Sequence, residues 1–484
     1  MSLTQSNIPA LVRIGAIKDD TLIEVETDIL EPVVNTQKFC RFALDRKGLL
    51  SSNSKITLGL TATAENTFYS LNNGINSLID RCVLKANNKT IAEIDSWNHF
   101  QAYQSMFIHN EQNYEREAQL TARTINHDFV YTNDPFSVDV SGVGAARVSR
   151  NMAEKYTWSN SIEPNVGATH EYTVESYLNN KNAPIFQIAL SDFFPFLKTN
   201  QLPLFMMKDQ LFIELHFAPE LNSKAERCWV NDADTPSATG YALDLTKTRM
   251  VADYIYYPQQ MMEQYAKVNA NLQFNYVDYR LSEMSISPAS AKDIIRNVGG
   301  AGRIVSKIVQ GVQNLDVGSD KKALTGPYHA FAPQRATDGS TTSYLNANIK
   351  CNNEFLYPLD ITNSARMFHT ITSTEGKVPF VSRDEYNRQG GQLSASNIEG
   401  IKQSGDSAAE QLSGLQGHFF WQSFKLKPER VDGRGIEVYM KYLEDDGTEG
   451  FNTADSTLGY THRVWLELVR YAKLNDGYME CGFV

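Results

Sequence analysis

The chain has 484 residues, 42% of them hydrophobic and 21% charged, with a formal net charge of −11 and an isoelectric point near 5.4. That balance excludes wholesale disorder, and the length exceeds one ordinary core and suits two domains. An acidic chain without a Lys/Arg-rich run excludes phosphate neutralisation as its function, so no direct nucleic-acid binding is expected.

The 23 Tyr, 24 Phe and 5 Trp lean the composition towards strands, where aromatic and β-branched side chains suit a pleated, half-buried surface. Cys40, Cys82, Cys228, Cys351 and Cys481 are far apart, and no pair has metal-ligand spacing. They read as free thiols of a reducing compartment, several of them buried. The start Met1-Ser2-Leu3-Thr4-Gln5-Ser6 has no basic segment leading into an apolar one, so no signal peptide is expected. Nor is there a run of roughly 20 apolar residues to span a bilayer.

In chain order, residues 1–20 read as an N-terminal arm. Leu22–Leu30 and Lys55–Thr61 alternate with period two, which predicts strands with an apolar face on a core. Leu78–Leu84 and Thr90–Ile94 flank Ala86-Asn87-Asn88-Lys89, a hairpin with turn residues at its tip. From Trp97 to about Arg116, Phe100, Tyr103 and Phe107 fall at helical spacing with polar residues on the opposite face. Gln210–Phe217 and Arg249–Tyr257 are further strands, and Pro258 opens a short helix over Gln259–Ala266. A new series begins at Phe274–Met284. The organisation expected is therefore a first β domain over 21–257, a linker helix within 258–270 and a second β domain over 271–484. In the second, Arg303–Val312, Tyr344–Cys351, Phe419–Leu426, Gly435–Leu443 and Arg463–Leu474 are the strongest strands. Long polar insertions cover Val138–Lys181, Val317–Thr342 and Arg383–Gly417. Short strands and long loops predict sandwiches rather than closed barrels.

Catalytic patterns are missing. Gly299-Gly300-Ala301-Gly302 lacks phosphate-loop spacing and reads as a turn or bulge beside a strand. The nine histidines are scattered; His216 falls in a strand and His99 in the helical patch, and both read as packed or hydrogen-bonded. No Gly-x-Ser-x-Gly elbow occurs. Glu444-Asp445-Asp446 and Asp19-Asp20 have the chemistry of a carboxylate pair or a calcium site, but read as solvated turns. Asn88-Lys89-Thr90 has the acceptor spacing for N-glycosylation and reads as the hairpin tip. The expectation is no catalytic, cofactor-binding or metal site.

Several stretches resemble the double jelly-roll major capsid proteins of eukaryotic double-stranded DNA viruses, the lineage of large nucleocytoplasmic viruses, virophages and polinton-like viruses. Gly74-Ile75-Asn76-Ser77-Leu78-Ile79-Asp80-Arg81-Cys82-Val83-Leu84 and Ile91-Ala92-Glu93-Ile94-Asp95 resemble the family's early hairpin. Leu202-Pro203-Leu204, Leu211–Leu215 and Val251–Tyr256 are similar to late segments of its first roll. Phe424-Lys425-Leu426-Lys427-Pro428-Glu429 with Gly433-Arg434-Gly435-Ile436 carries the clearest likeness, and Gly477–Phe483 is similar to the closing strand. Val431-Asp432-Gly433 and Ile436-Glu437-Val438 depart from the usual pattern and point to a divergent branch.

The resemblance implies an all-β fold of two tandem eight-stranded antiparallel jelly rolls with long inter-strand loops and a few short helices. It implies a non-enzymatic protein without cofactors, in homotrimers of pseudo-hexameric outline that tile an icosahedral shell around a DNA genome. Penton and minor capsid proteins are the implied partners. The implied location is the virion capsid, after assembly in the host cytoplasm or nucleus. The alternatives are a lectin-like or spike sandwich binding glycan, or a β-sandwich carbohydrate-active enzyme using the carboxylates of Glu444–Asp446.

Overall fold

The computed structural model describes residues 23–62, 67–68, 74–104, 107, 120–121, 185–198, 201–218, 229–230, 241–286, 293–314, 344–361, 364–377, 421–443 and 460–484. In the first half these form eight principal strands: β1 (Glu24–Leu30), β2 (Phe39–Ala43), β3 (Lys55–Ala62), β4 (Ile79–Ala86), β5 (Lys89–Asp95), β6 (Ile185–Ala189), β7 (Leu211–Phe217) and β8 (Tyr241–Tyr256). They pair in the order β1-β8-β3-β6 in one sheet and β2-β7-β4-β5 in the other, all antiparallel. Short extra strands at Val34–Asn35 and Leu49–Leu50 add to β2 and β8.

The second half repeats this wiring. Its strands are β9 (Gln273–Ile286), β10 (Asp293–Gly299), β11 (Val305–Asn314), β12 (Tyr344–Cys351), β13 (Glu354–Phe355), β14 (Gln422–Lys425), β15 (Ile436–Leu443) and β16 (Tyr460–Asn475). They pair as β9-β16-β11-β14 and β10-β15-β12-β13, which is the first-half order with eight added to every label. β17 (Tyr478–Phe483) folds back on β16 through a tight turn. Such agreement in non-local pairing, over halves with different loops, marks one architecture used twice.

Period-two alternation builds each sandwich. Along β3, Ile56 and Leu58 are fully buried while Lys55 and Thr57 turn outward. Phe42, Ile213, Leu215, Met250 and Ala252 meet them from neighbouring strands, and Val305, Ile308, Ile349, Val438 and Leu466 do the same in the second half. Each of these side chains other than Ala252 contributes about 1.5–3 kcal/mol of hydrophobic stabilisation.

The strand expected at Leu22–Leu30 forms over Glu24–Leu30, but its apolar face is not on the core. Leu30 packs at the rim, whereas Val25 and Ile29 are 58% and 63% exposed. The register explains it: Val25, Thr27 and Ile29 lie opposite Ile255, Asp253 and Val251, on the side of the sheet away from buried Met250, Ala252 and Tyr254.

Three helices matter below. Helix α1 (Trp97–Gln104) has Trp97 to Tyr103 buried all round, polar Asn98, His99 and Gln101 included. This corrects the expected amphipathic helix with a polar outer face, since the helix is wedged between the two halves. Its described part ends at Gln104 and the expected continuation to Arg116 lies outside the described residues, apart from Phe107. Helix α2 (Gln259–Val268) follows β8 with Pro258 at its N-cap, and α3 (Ser364–Glu375) packs on β14. The three long insertions, from Val138, Val317 and Arg383, lie outside the described residues.

Candidate functional site

Among the described residues, those singled out for chemistry do not assemble. Glu444-Asp445-Asp446, Asp19-Asp20 and Cys228 lie outside the described residues. Gly299-Gly300-Ala301-Gly302 is a turn after β10, with Gly299, Gly300 and Gly302 at φ of 93°, 85° and 72°, and a bulge at Asn297/Gly299. It binds its own chain: the Gly302 N–H donates to Val431 O at 2.9 Å. Asn88 and Lys89 sit at the β4–β5 turn, where Asn87 adopts φ of 50° and donates to Asp209 Oδ1 at 2.5 Å. His216 of β7 packs tilted against Phe39 of β2, beside Glu214, which Arg41 and Lys85 hold; His99 is buried in α1. Cys40 and Cys82 are buried, and burial pushes their thiols up, Cys40 to about 12. Among the described residues no group of three or more His, Cys, Asp or Glu is placed to hold a metal ion. No described helix is long and apolar enough to cross a membrane.

What the fold does assemble is a junction between its halves. Strand β5 is the edge of its sheet, and an edge presents unpaired backbone groups that must be covered or satisfied. Here the second half satisfies them. Ile91 O accepts from Tyr276 Oη at 2.5 Å and from Arg470 at 2.7 Å, the Glu93 N–H donates to Asp278 Oδ1 at 3.1 Å, and Asp95 O accepts from Trp465 Nε1 at 3.0 Å. Asp278 also takes Arg470 Nη1 at 2.6 Å, so one buried ion pair clamps the edge from both sides. Burial pushes the Asp278 carboxyl up to about 6 in spite of that partner.

Beside this polar clamp lies an aromatic one. From α1, Phe100 meets Tyr279 at 4.4 Å and Trp465 at 5.7 Å between ring centroids, and Tyr103 meets Trp421 at 5.8 Å. Phe196 reaches Tyr276 at 5.1 Å. Below them Lys307 bridges Glu375 at 3.0 Å and Glu467 at 3.2 Å, while Tyr103 and Tyr279 donate their hydroxyls to Glu375 and Glu467. Burial alone would pull the Lys307 ammonium down; the two carboxylates outweigh it and hold it raised. At the far end of the junction the Met479 N–H donates to Asp209 Oδ2 at 2.8 Å, and the Lys208 N–H donates to Gly477 O at 2.7 Å.

The other feature is exposed apolar surface at strand edges the junction leaves bare. Val25, Ile29 and Val33, on or just after β1, are 58%, 63% and 65% exposed. Phe355 and Leu359, on or just after β13, are 51% and 73% exposed, and Ile295 on β10, the opposite edge of that sheet, is 59% exposed. Exposed apolar groups gathered this way mark contact sites on soluble proteins.

No protein-family model and no curated protein matches the sequence. The fold, in contrast, matches solved structures over nearly its whole length. A chain of the PBCV-1 virus capsid aligns with a TM-score of 0.52 and 11% identity, over 96% of this chain and 97% of that one. The mavirus major capsid protein aligns with a TM-score of 0.52 and 11% identity, over 94% and 90%. A chain of the Sputnik virophage structure gives 0.53 and 10%, over 95% and 88%. The repeated strand order is that of a sandwich of two Greek keys. The chain has the double jelly-roll fold. In the double jelly roll the expected eight-stranded rolls are both present, and their contact runs from the β5 edge of the first roll to β9 and β16 of the second.

Sequence reading placed Phe100 and Tyr103 on one helix face but did not single out Asp278, Arg470, Trp465, Lys307, Glu375 or Glu467. Their signal was slight: apart from Glu375 at the end of α3, they are charged and aromatic residues interleaved on strands.

Proposed function

We propose that this chain is a structural major capsid protein, without enzymatic activity, whose homotrimers tile an icosahedral shell around a DNA genome. The observation that supports it most is the repeated roll: two like modules, joined side by side by a buried seam, make one chain a third of a pseudo-hexameric tile. The likeness in fold to the PBCV-1 capsid chain and the mavirus major capsid protein supports the same reading. So does a junction made of burial and hydrogen bonds, in which no described group is poised for catalysis.

In this reading residues 1–20 are an arm, 21–257 the first roll, 258–270 the linker helix and 271–484 the second roll. The virion capsid is its location, after assembly in the host cytoplasm or nucleus, and penton and minor capsid proteins are its partners. The acidic charge leaves neutralisation of DNA to other components. Sedimentation velocity with negative-stain microscopy tests the proposal. A trimer of hexagonal outline is expected, and a monomer at micromolar concentration refutes it.

A further inference from the structure

The second roll buries a run of polar side chains outside the junction. His462 on β16 is fully buried, and its ring lies between two partners. Arg296 Nε, on β10 of the facing sheet, donates to His462 Nδ1 at 3.1 Å. The other ring nitrogen, Nε2, lies 3.2 Å from Gln310 Oε1 on β11, and Gln310 Nε2 donates to Gln422 Oε1 on β14 at 2.6 Å. A guanidinium has donors only, so Nδ1 must be the accepting nitrogen. The ring hydrogen therefore sits on Nε2, and every bond in the run points the same way, from Arg296 to Gln422. Strand β10 is an edge strand, paired on one side only, with β15. The bond from Arg296 to His462 ties it across the sandwich to the other sheet.

We propose that this run is an acid-sensitive latch: a proton taken up by His462 breaks its bond to Arg296 and releases the edge strand β10 from the second roll, while the first roll stays closed. The inference goes beyond the capsid reading and does not depend on it. An imidazolium donates from both nitrogens, so protonation turns Nδ1 from an acceptor into a donor facing Arg296. Two positive charges then stand at hydrogen-bond distance inside the sandwich, which is costly without a paired anion. The other bonds of the Arg296 side chain go to carbonyls, Ser282 O at 2.7 Å and His462 O at 3.3 Å. Glu283, the one carboxylate among the described residues whose charge acts on Arg296, is held by Arg463 at 3.0 Å. Around His462, β9 supplies Ser282 O and Met284, β11 supplies Gln310 and Val312, and β14 supplies Gln422, none of them charged. The facing sheet buries Ile294 and Val298 on either side of Arg296, and Val438 and Met440 on β15. Burial and the Arg296 charge accordingly hold the imidazole well below its ordinary range, and burial draws Arg296 itself down to about 10. A folded-state value below the ordinary 6.5 means that opening takes up a proton. Stability from this group is therefore whole above about 6.5 and is lost as pH falls below it.

The test follows hydrogen exchange by mass spectrometry at pH 7 and pH 5, corrected for the intrinsic rate, in the full unchanged chain and in His462→Gln. Glutamine can accept from Arg296 and donate to Gln310 without titrating. In the unchanged chain the protection of β10 should fall about 25-fold between the two pH values, the factor for one group of ordinary value near 6.5 that is protonated only when the strand is released. Protection of β3 in the first roll should change by less than about threefold. In His462→Gln the fall in β10 should be absent. Asp278 and the other carboxylates titrate alike in both chains and cancel from the comparison. If glutamine does not fit, as judged by circular dichroism at pH 7, His462→Asn takes its place with the same expectation. A fall that persists in the variant, or that both rolls share equally, overturns the latch. So does an unchanged chain whose β10 keeps its protection at pH 5, whichever variant folds. None of these results depends on the oligomer, so the capsid reading stands or falls separately.

Discussion

Replacing Phe100 with alanine tests whether the two rolls stand as one cooperative unit. Phe100 belongs to the first roll's helix α1, is fully buried, and among the described residues makes ring contacts with Tyr103 of its own helix and with Tyr279 and Trp465 of the second roll. Truncating a buried phenylalanine costs about 3–5 kcal/mol, a range that already includes part of the 0.5–1.5 kcal/mol each ring pair is worth. We therefore expect a loss of about 4 kcal/mol, much of a stability of order 5–15 kcal/mol. At roughly 2–4 °C per kcal/mol for a roll of this size, that is about 8–16 °C. Because the loss falls on the seam, scanning calorimetry should resolve one transition into two. Phe42→Ala is the control: that side chain is equally buried, but in the first roll's own core. It should lower the transition without dividing it, at the same protein concentration, since self-association raises melting temperatures. A shift below about 3 °C, or a trace indistinguishable from that of the control, would refute the coupling.

Three further outcomes follow from the described contacts. Asp278 is raised in the folded chain to about 6, above the ordinary 3.8, so the folded state holds its proton more tightly than the unfolded state. Stability from this group should thus rise as pH falls from about 6 towards 4, by up to about 3 kcal/mol. Urea unfolding of the unchanged chain minus that of Asp278→Asn should show this slope, and a flat or opposite difference counts against the buried clamp. With its thiol pushed up to about 12, Cys40 is thiolate in roughly one molecule in ten thousand at pH 8, and buried Cys82 is also raised. Alkylation mapped by mass spectrometry should therefore spare both until the chain is unfolded. Gly477 turns β16 into β17 at φ of 85°, and a Cβ there would lie 2.9 Å from Met206 O and from Lys208 Cγ. Gly477→Ala should cost about 1–3 kcal/mol in equilibrium unfolding; a neutral effect would mean the turn and the β7-side loop move apart freely.

How far the sequence could be read depended on the range of the interaction concerned. Strands such as Lys55–Ala62 and Leu211–Phe217 were legible because a side chain's face follows from its neighbours two residues away. The second series of strands and the helix after Pro258 were legible for the same local reason. β2, β6, β10 and helix α3 went unseen: Phe39–Ala43 and Ile185–Ala189 are five residues long, too short for a period to stand out.

Alternation in Leu22–Leu30 determined that Val25, Thr27 and Ile29 share a face, but not whether that face is covered. Tertiary structure decided it, by aligning them with Val251, Asp253 and Ile255 on the outside of the sheet. The same limit applied at the seam. The spacing of Trp97–Gln104 determined a helix, and only the second roll packing over it decided that Asn98, His99 and Gln101 would be buried. Nothing local in the sequence marks Lys307, Glu375, Glu467, Asp278 and Arg470 as covered, since charges are normally solvated. Asp278 is buried and the other four are largely covered because residues about 70 to 380 positions apart in the chain, Thr90 and Arg470 being the most distant, meet there. Local pattern thus determined the elements and the repeated style of the two halves. The functional surface was decided by contacts between strands of different rolls, which no local period encodes.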